Sequence, residues 1–379
     1  MDEPDADLPT PDVETAGASG DRYTRRSMLG LLGTAALGGI VPEAAAAAAT
    51  SEATDRSSVV AFNGTHQAGI VTPPPPHMLF AAFDVTTERT SELRDLMRTW
   101  TEAALGMTRG RSSSGPAAKG DKGPPETGET VGLPAASLTL TFGLGPTLFQ
   151  LDGHDRFGLR TSRPAGLGDL PAFAHDRLDA DRSGGDLCVQ ACAEDSLVVF
   201  HAIHELARLG LGIVRIRWLQ QGFGQAAAVG AQQPTQRNLM GFKDGTLNIR
   251  NDDTRALNRF VWVGNPSWMR GGTYVVVRRI RMRLQEWDTS SLADQQHTIG
   301  RMKESGAPLG KKQEFDRLDL SAHRPNGRPM IPQDAHVRLA SPSSNGGERL
   351  LRRGYSFVDG ADGAGYVDAG LFFVAFQRD

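Results

Sequence analysis

The sequence predicts an α+β protein built from two related units. Three observations carry this. Short apolar or alternating runs interleave with segments of helical period in the order β-α-β-β-α-β. That order partly recurs after a Gly- and Gln-rich stretch. The composition, with 39% hydrophobic and 22% charged residues over 379 positions, is that of an ordinary globular chain of one large domain or two smaller ones.

In the first unit, residues 77–85 (HMLFAAFDV) are a short apolar run and read as a strand. The prolines at 73–76 form a stiff lead-in to it. Residues 87–105 place Leu93, Leu96, Met97, Trp100 and Ala104 at helical spacing. Residues 110–130 are a Gly/Ser/Pro/Lys loop. Residues 137–142 (SLTLTF) alternate with period two, and 186–193 is a further strand. Residues 194–209 form a helix with Leu197, Val198, Ile203, Leu206 and Ala207 along one side, and 213–219 (IVRIRWL) is the closing strand. This order is the ferredoxin-like arrangement, an antiparallel sheet with helices on its faces.

Residues 221–238 read as a linker. Beyond it, 272–284 alternate as a strand and 287–300 look helical. Residues 336–340 and 351–357 read as a strand pair, and 370–377 (GLFFVAFQ) as a buried strand. The second unit is thus β-α-β-β with extra pieces, a tandem of the first. No helix follows its last strand, which predicts a sheet short of its cover and either a truncated product or an incomplete gene model. The expected organisation is a leader over 1–49, a ferredoxin-like domain over 50–220, a linker over 221–238 and a second ferredoxin-like domain over 239–379.

The first fifty residues read as an address. Thr24-Arg25-Arg26-Ser27-Met28-Leu29 is a twin-arginine pattern, followed by a Gly- and Ala-rich apolar stretch over 28–41 and alanines at 44–49 that offer A-x-A cleavage sites. The apolar stretch spans 14 residues, short of the roughly 18 a membrane span needs. Export by the twin-arginine translocase to a periplasmic, cell-surface or extracellular location is therefore expected. That route carries folded proteins and favours a cofactor enzyme. The leader holds eight acidic and three basic residues, so the overall net charge of -3 becomes +2 without it. Neither value gives a basic footprint for nucleic acid. The two cysteines, Cys188 and Cys192, exclude a disulfide scaffold and a Cys-rich metal site. Four positions apart on one strand, they lie roughly 13 Å from each other, too far for a disulfide.

Three local clusters could carry chemistry. Gly241-Phe242-Lys243-Asp244-Gly245-Thr246 brackets an acid between glycines. Alone it reads most simply as a tight turn with the acid capping backbone; the functional alternative is an acid held over a pocket as a proton shuttle. His336, in Asp334-Ala335-His336-Val337-Arg338-Leu339, sits at the start of an apparent strand between charges. Arg352 and Arg353 are adjacent on another, so one could point into a pocket and the other to solvent. His201 and His204 share a helix at i, i+3 but lack a metal-binding partner motif, and read as structural.

In combination these segments resemble the dye-decolourising (DyP-type) peroxidases. GFKDG matches that family's GxxDG signature, and DAHVRL, LRRGYSF and GLFFVAFQRD look like its C-terminal block. NGTHQAGI, SLTLTFG and IGRMKESGAPLG are also similar, in order, from about residue 60 to 379. With the leader, the chain looks most like the exported branch. The resemblance implies tandem ferredoxin-like domains and one haem b per chain. It implies His336 as proximal iron ligand and Asp244 and Arg352 on the distal side. Leu371 and Phe373 would line the distal pocket, and Arg301 would meet a haem propionate. The implied activity is reduction of hydrogen peroxide through a ferryl state, with dyes, phenols or other small aromatic donors oxidised. Electrons from bulky donors would enter through surface aromatics, drawn from the five tryptophans, Tyr274 or Tyr355. The alternative is a haem-binding or iron-releasing, deferrochelatase-like protein of iron acquisition. Both need His336; only the peroxidase needs Asp244 and Arg352 for rapid peroxide cleavage. A homo-oligomer is open.

Overall fold

The computed structural model describes residues 58–111, 126–224, 235–265 and 267–379. The leader and residues 225–234 of the predicted linker lie outside the described residues.

The first unit follows the predicted order. Strand β1 (His77–Val85) leads into helix α1 (Thr90–Met107), then β2 (Thr139–Leu144) and a single turn, α2 (Pro146–Phe149). Strand β3 (Leu187–Ala193), helix α3 (Ser196–Leu209) and strand β4 (Val214–Phe223) complete it. The order across the sheet is β2-β3-β1-β4, every neighbouring pair antiparallel. Alternation sorts the side chains. Ala81, Phe83, Leu140 and Val189 pack with Leu96, Trp100, Ile203 and Leu206 of α1 and α3 into one core. Trp100 is buried, and its indole N–H donates to the Leu206 carbonyl at 2.8 Å, which removes the cost of burying that donor. Helix α3 starts where Asp195 accepts from the amides of Leu197 (2.7 Å) and Val198 (3.4 Å), an N-cap of the usual kind. Cys188 and Cys192 are both free.

The second unit runs α4 (Thr254–Phe260), β5 (Tyr274–Met282), α5 (Leu284–Asp288), α6 (Leu292–Ile299), α7 (His336–Leu339), β6 (Leu351–Arg352), β7 (Tyr355–Ala361) and β8 (Val367–Gln377). Its strands extend the same sheet as β4-β7-β8-β5, with β6 pairing β8. The halves join where β4 meets β7 at Phe223↔Ser356. Met78, Phe80, Cys192, Tyr355, Phe372, Val374 and Phe376 form a second core on the face opposite α1 and α3. Among the described residues no helix is long and apolar enough to cross a membrane.

Two sequence expectations need correction. His336 opens a one-turn helix, not a strand, and β6 pairs with β8 instead of with residues 336–340. The turn is held by Arg338, whose guanidinium donates to the carbonyls of Pro332 (3.0 Å), Leu320 (2.9 Å) and Ile331 (2.7 Å). Five residues of alternating polarity cannot separate such a turn from a short strand. Arg353, in turn, does not face solvent. It is 6% exposed and donates to the Thr72 carbonyl on the sheet face opposite Arg352.

Candidate functional site

Asp244 lies in the loop that precedes α4. Its amide donates to the Gln236 carbonyl at 2.8 Å, and an isolated bridge pairs Arg237 with Lys243. Phe242, buried to 2% exposure, pins the loop. Gly241 (φ +82°) and Gly245 (φ +129°) take up the backbone conformations that let the loop reverse on both sides of the acid. Among the described residues, the Asp244 carboxylate caps no backbone amide. Its Oδ1 accepts from Arg352 Nη1 at 2.8 Å.

Arg352 reaches it from β6. Alternation on β6 and β8 puts Arg352, opposite Ala375, on the same sheet face as Leu371 and Phe373. Both of these apolar side chains are half-buried. The Asp244 and Arg352 side chains keep 25% and 32% exposure. An ion pair so accessible contributes at most about 1 kcal/mol to stability, so stability alone does not account for it.

The backbone of Arg352 is held by a residue that sequence reasoning passed over. Asn248 Nδ2 donates to the Arg352 carbonyl at 2.7 Å, and Asn248 Oδ1 accepts from the Arg352 amide at 2.9 Å. A carboxamide here substitutes for a neighbouring strand. The only signal in the sequence is an asparagine four positions after Asp244. Glu314 was missed as well. Its carboxylate accepts from Thr235, Lys243 and Thr246, all on the Asp244 loop.

His336 is the first residue of α7, anchored by the buried cluster of Ile331, Ala335, Val337 and Leu309. Its ring is open to solvent, yet so many atoms surround it that burial lowers its pKa; the Asp244 charge opposes this shift and the Arg352 charge adds to it. An accessible but desolvated ring is what the wall of a recess gives. The imidazole is neutral near pH 7, and neither ring nitrogen has a hydrogen-bond partner among the described residues. The structure therefore brings His336, Asp244 and Arg352 within electrostatic reach of one another.

Arg301 stands apart from this trio. It is buried, and its Nη1 donates to the carbonyls of Gly306 (2.7 Å) and Glu314 (3.0 Å). Burial lowers its pKa, against the field of Glu314. His201 and His204 also act structurally: each Nδ1 meets one carboxylate oxygen of Glu129, at 2.8 and 2.5 Å. A separate cavity of about 390 Å³ opens beside His66, Phe80, Phe142, Gln190, Trp268 and Tyr274, and none of the six predicted site residues lines it.

Among the described residues no cluster of three or more His, Cys, Asp or Glu could hold a metal ion. A single open, neutral histidine suits a metal whose other ligands come from a macrocycle. Apolar Leu371 and Phe373 on the Arg352 face suit a flat apolar group, so the residues present fit a haem.

The description "Dyp-type peroxidase, N-terminal" matches residues 67–224, and "Dyp-type peroxidase, C-terminal" matches residues 235–379. The chain belongs to the Dyp-type peroxidases. It is accordingly a haem peroxidase. A protein named Deferrochelatase from Yersinia pestis is 39% identical over 328 residues, 84% of this chain and 73% of that protein. Its namesake from Escherichia coli K12 is 35% identical over 370 residues, 94% and 86% of the two chains. The DyP-type peroxidase of Streptomyces coelicolor superposes with a TM-score of 0.78 at 38% identity, covering 86% of this chain and 85% of that one. Ferric DtpA from Streptomyces lividans gives 0.78 at 39% identity with the same coverage. These similarities bear out the tandem ferredoxin-like α+β architecture of this family member.

Proposed function

We propose that the chain reduces hydrogen peroxide with one haem b, which His336 would ligate, while Asp244 and Arg352 would serve as the distal residues that handle the proton and charge of the peroxide. The observation that carries this reading is the 2.8 Å Asp244–Arg352 pair within electrostatic reach of a desolvated, unpartnered imidazole. When bound, haem supplies an iron that accepts peroxide and passes oxidising equivalents to a donor. The residues of the chain do the remainder. The neutral imidazole of His336 offers a nitrogen lone pair without first losing a proton. The Asp244 carboxylate would accept a proton from one peroxide oxygen and hand it to the other. The Arg352 guanidinium, 2.8 Å from Asp244 Oδ1, orients that carboxylate and stabilises charge on the departing oxygen. Leu371 and Phe373 exclude bulk water, and Arg301 meets a propionate.

The donors are dyes, phenols or other small aromatics. Trp268, 51% exposed, is the most accessible tryptophan among the described residues and the natural point of electron entry for a bulky donor. The twin-arginine leader directs export through the twin-arginine translocase, and a homo-oligomer is compatible with the reading.

The names of the 35–39% identical relatives favour a second reading, release of iron from haem. One experiment separates the two. The haem-loaded chain is mixed with one equivalent of hydrogen peroxide in a stopped-flow spectrometer. Asp244→Asn and Arg352→Ala should each slow the first spectral change by at least about 10²-fold, the usual scale for such groups. A change as fast in both variants as in the parent refutes the peroxidase roles, and free porphyrin appearing without peroxide favours iron release.

A further inference from the structure

We infer that Glu314 is a positioning residue for Asp244: it clamps the loop on both sides of the acid and keeps the neighbouring lysine charge away from it. The inference rests on the proposed role of Asp244 and goes one layer beneath it.

Glu314 is far from Asp244 in sequence, and its side chain is only 9% exposed. Its two oxygens collect three donors from one loop. Oε2 takes Lys243 Nζ, the residue before Asp244. Oε1 takes the hydroxyl of Thr246, two residues after it, at 3.0 Å, and that of Thr235, at the start of the loop. The clamp itself is anchored, because the Glu314 carbonyl accepts from buried Arg301 at 3.0 Å. Burial opposes ionisation of Glu314, but Lys243 and the two threonine hydroxyls outweigh it and hold the carboxyl below its ordinary range. The Glu314 carboxylate is thus charged at working pH.

Two consequences follow for the acid. Among the described residues, Asp244 has a single side-chain hydrogen bond, to Arg352. Its direction therefore depends on where the loop puts its Cα, and Glu314 fixes the residues on each side. Lys243 also carries a positive charge one position from Asp244. Neutralised by Glu314, it leaves Arg352 as the cation that orients the acid. Released, its ammonium becomes a rival partner.

The test uses the haem-loaded chain with Glu314→Ala and Glu314→Gln, each made alone and in an Asp244→Asn background. Two readouts are taken: the stopped-flow rate of the first peroxide step, and amide hydrogen exchange across residues 236–246. The expected results are a rate loss of about tenfold for Glu314→Ala, the scale of a slightly misplaced catalytic group, and faster exchange confined to this loop. Glu314→Gln, which still accepts from the threonines but no longer neutralises Lys243, falls between. In the Asp244→Asn background the further loss should stay under about twofold, because two residues acting through one another are not additive. Equal losses in both backgrounds, or unchanged loop exchange, overturn the inference. Should Glu314→Ala fail to fold, Glu314→Gln carries the same comparison. If Asp244→Asn itself keeps the full rate, the role of Asp244 fails, and loop exchange alone then decides the clamp.

Discussion

Replacing Asn248 by alanine should loosen the strand that presents Arg352. Asn248 makes two hydrogen bonds to one residue, 2.7 Å to the Arg352 carbonyl and 2.9 Å from its amide. Strand β6 is two residues long, with ladder partners only at Leu351↔Phe376 and Arg352↔Ala375. Each hydrogen bond of this kind is worth about 0.5–1.5 kcal/mol net. The site is partly open, so water can take over the freed groups. The lower half of the summed range therefore applies, about 1–2 kcal/mol. At 1.4 kcal/mol per factor of ten, local opening rises about 5- to 30-fold. Native-state hydrogen exchange at the Arg352 amide reads this directly. The Arg353 amide, bonded to the Val374 carbonyl at 2.8 Å, reports whether the loss spreads. Asn248→Asp keeps the acceptor and loses the donor, and should show a smaller effect. Exchange at Arg352 within twofold of the parent in Asn248→Ala would refute the claim that this side chain stands in for a strand.

Four further outcomes are expected. Gly300→Ala places a Cβ 2.3 Å from Val337 Cγ1 at φ +89°, so it should displace α7 and, with His336 as the proposed ligand, weaken haem retention, read as a fall in haem-band absorbance on dilution. Trp100→Phe removes the hydrogen bond to Leu206 and leaves space in the first core, costing about 2–4 kcal/mol by urea denaturation. In the haem-free chain, His336 has a lowered folded-state pKa, so the unfolded chain takes up its proton first. Stability should thus fall as pH drops below the ordinary histidine value of 6.5, and this part of the dependence should vanish in His336→Gln. Burial raises the Glu129 pKa, but hydrogen bonds from Thr127, His201 and His204 prevail and hold it at about 2, against 4.5 ordinarily. Its contribution is complete above pH 4.5 and lost as pH falls towards 2; allowing for solvent screening, about 1–2 kcal/mol should separate the parent from Glu129→Gln across that window.

The first unit was legible because its signals are periodic and local. Alternation in SLTLTF and helical spacing from Leu93 to Ala104 each report which side of an element meets the core, and burial enforces both. His336 was legible as a residue but not as a conformation: its turn depends on Arg338 reaching three carbonyls, one of which, that of Leu320, lies 18 positions away. Arg352 and Asp244 are 108 positions apart, and nothing local to either predicts that they meet. The segments that resemble a family supplied that pairing. Asn248 and Glu314 escaped because their work consists of hydrogen bonds to groups distant in sequence, and a lone Asn or Glu in a loop has no pattern to be read.

The seam between β4 and β7 has a consequence for cooperativity. Each half of the sheet is stitched by long ladders, nine residue pairs between β5 and β8 and seven between β1 and β3, whereas the seam has one, Phe223↔Ser356. The halves are therefore joined by side chains more than by the ladder: Met78 and Phe80 share a core with Phe372 and Val374, the Tyr355 hydroxyl donates to the Pro75 carbonyl at 3.0 Å, and Asp359 accepts from Gln220 and Arg182. Opening the seam strips that shared core from both halves at once, so they melt together, and a fault planted in the first half at Phe80 also loosens the strands behind Arg352.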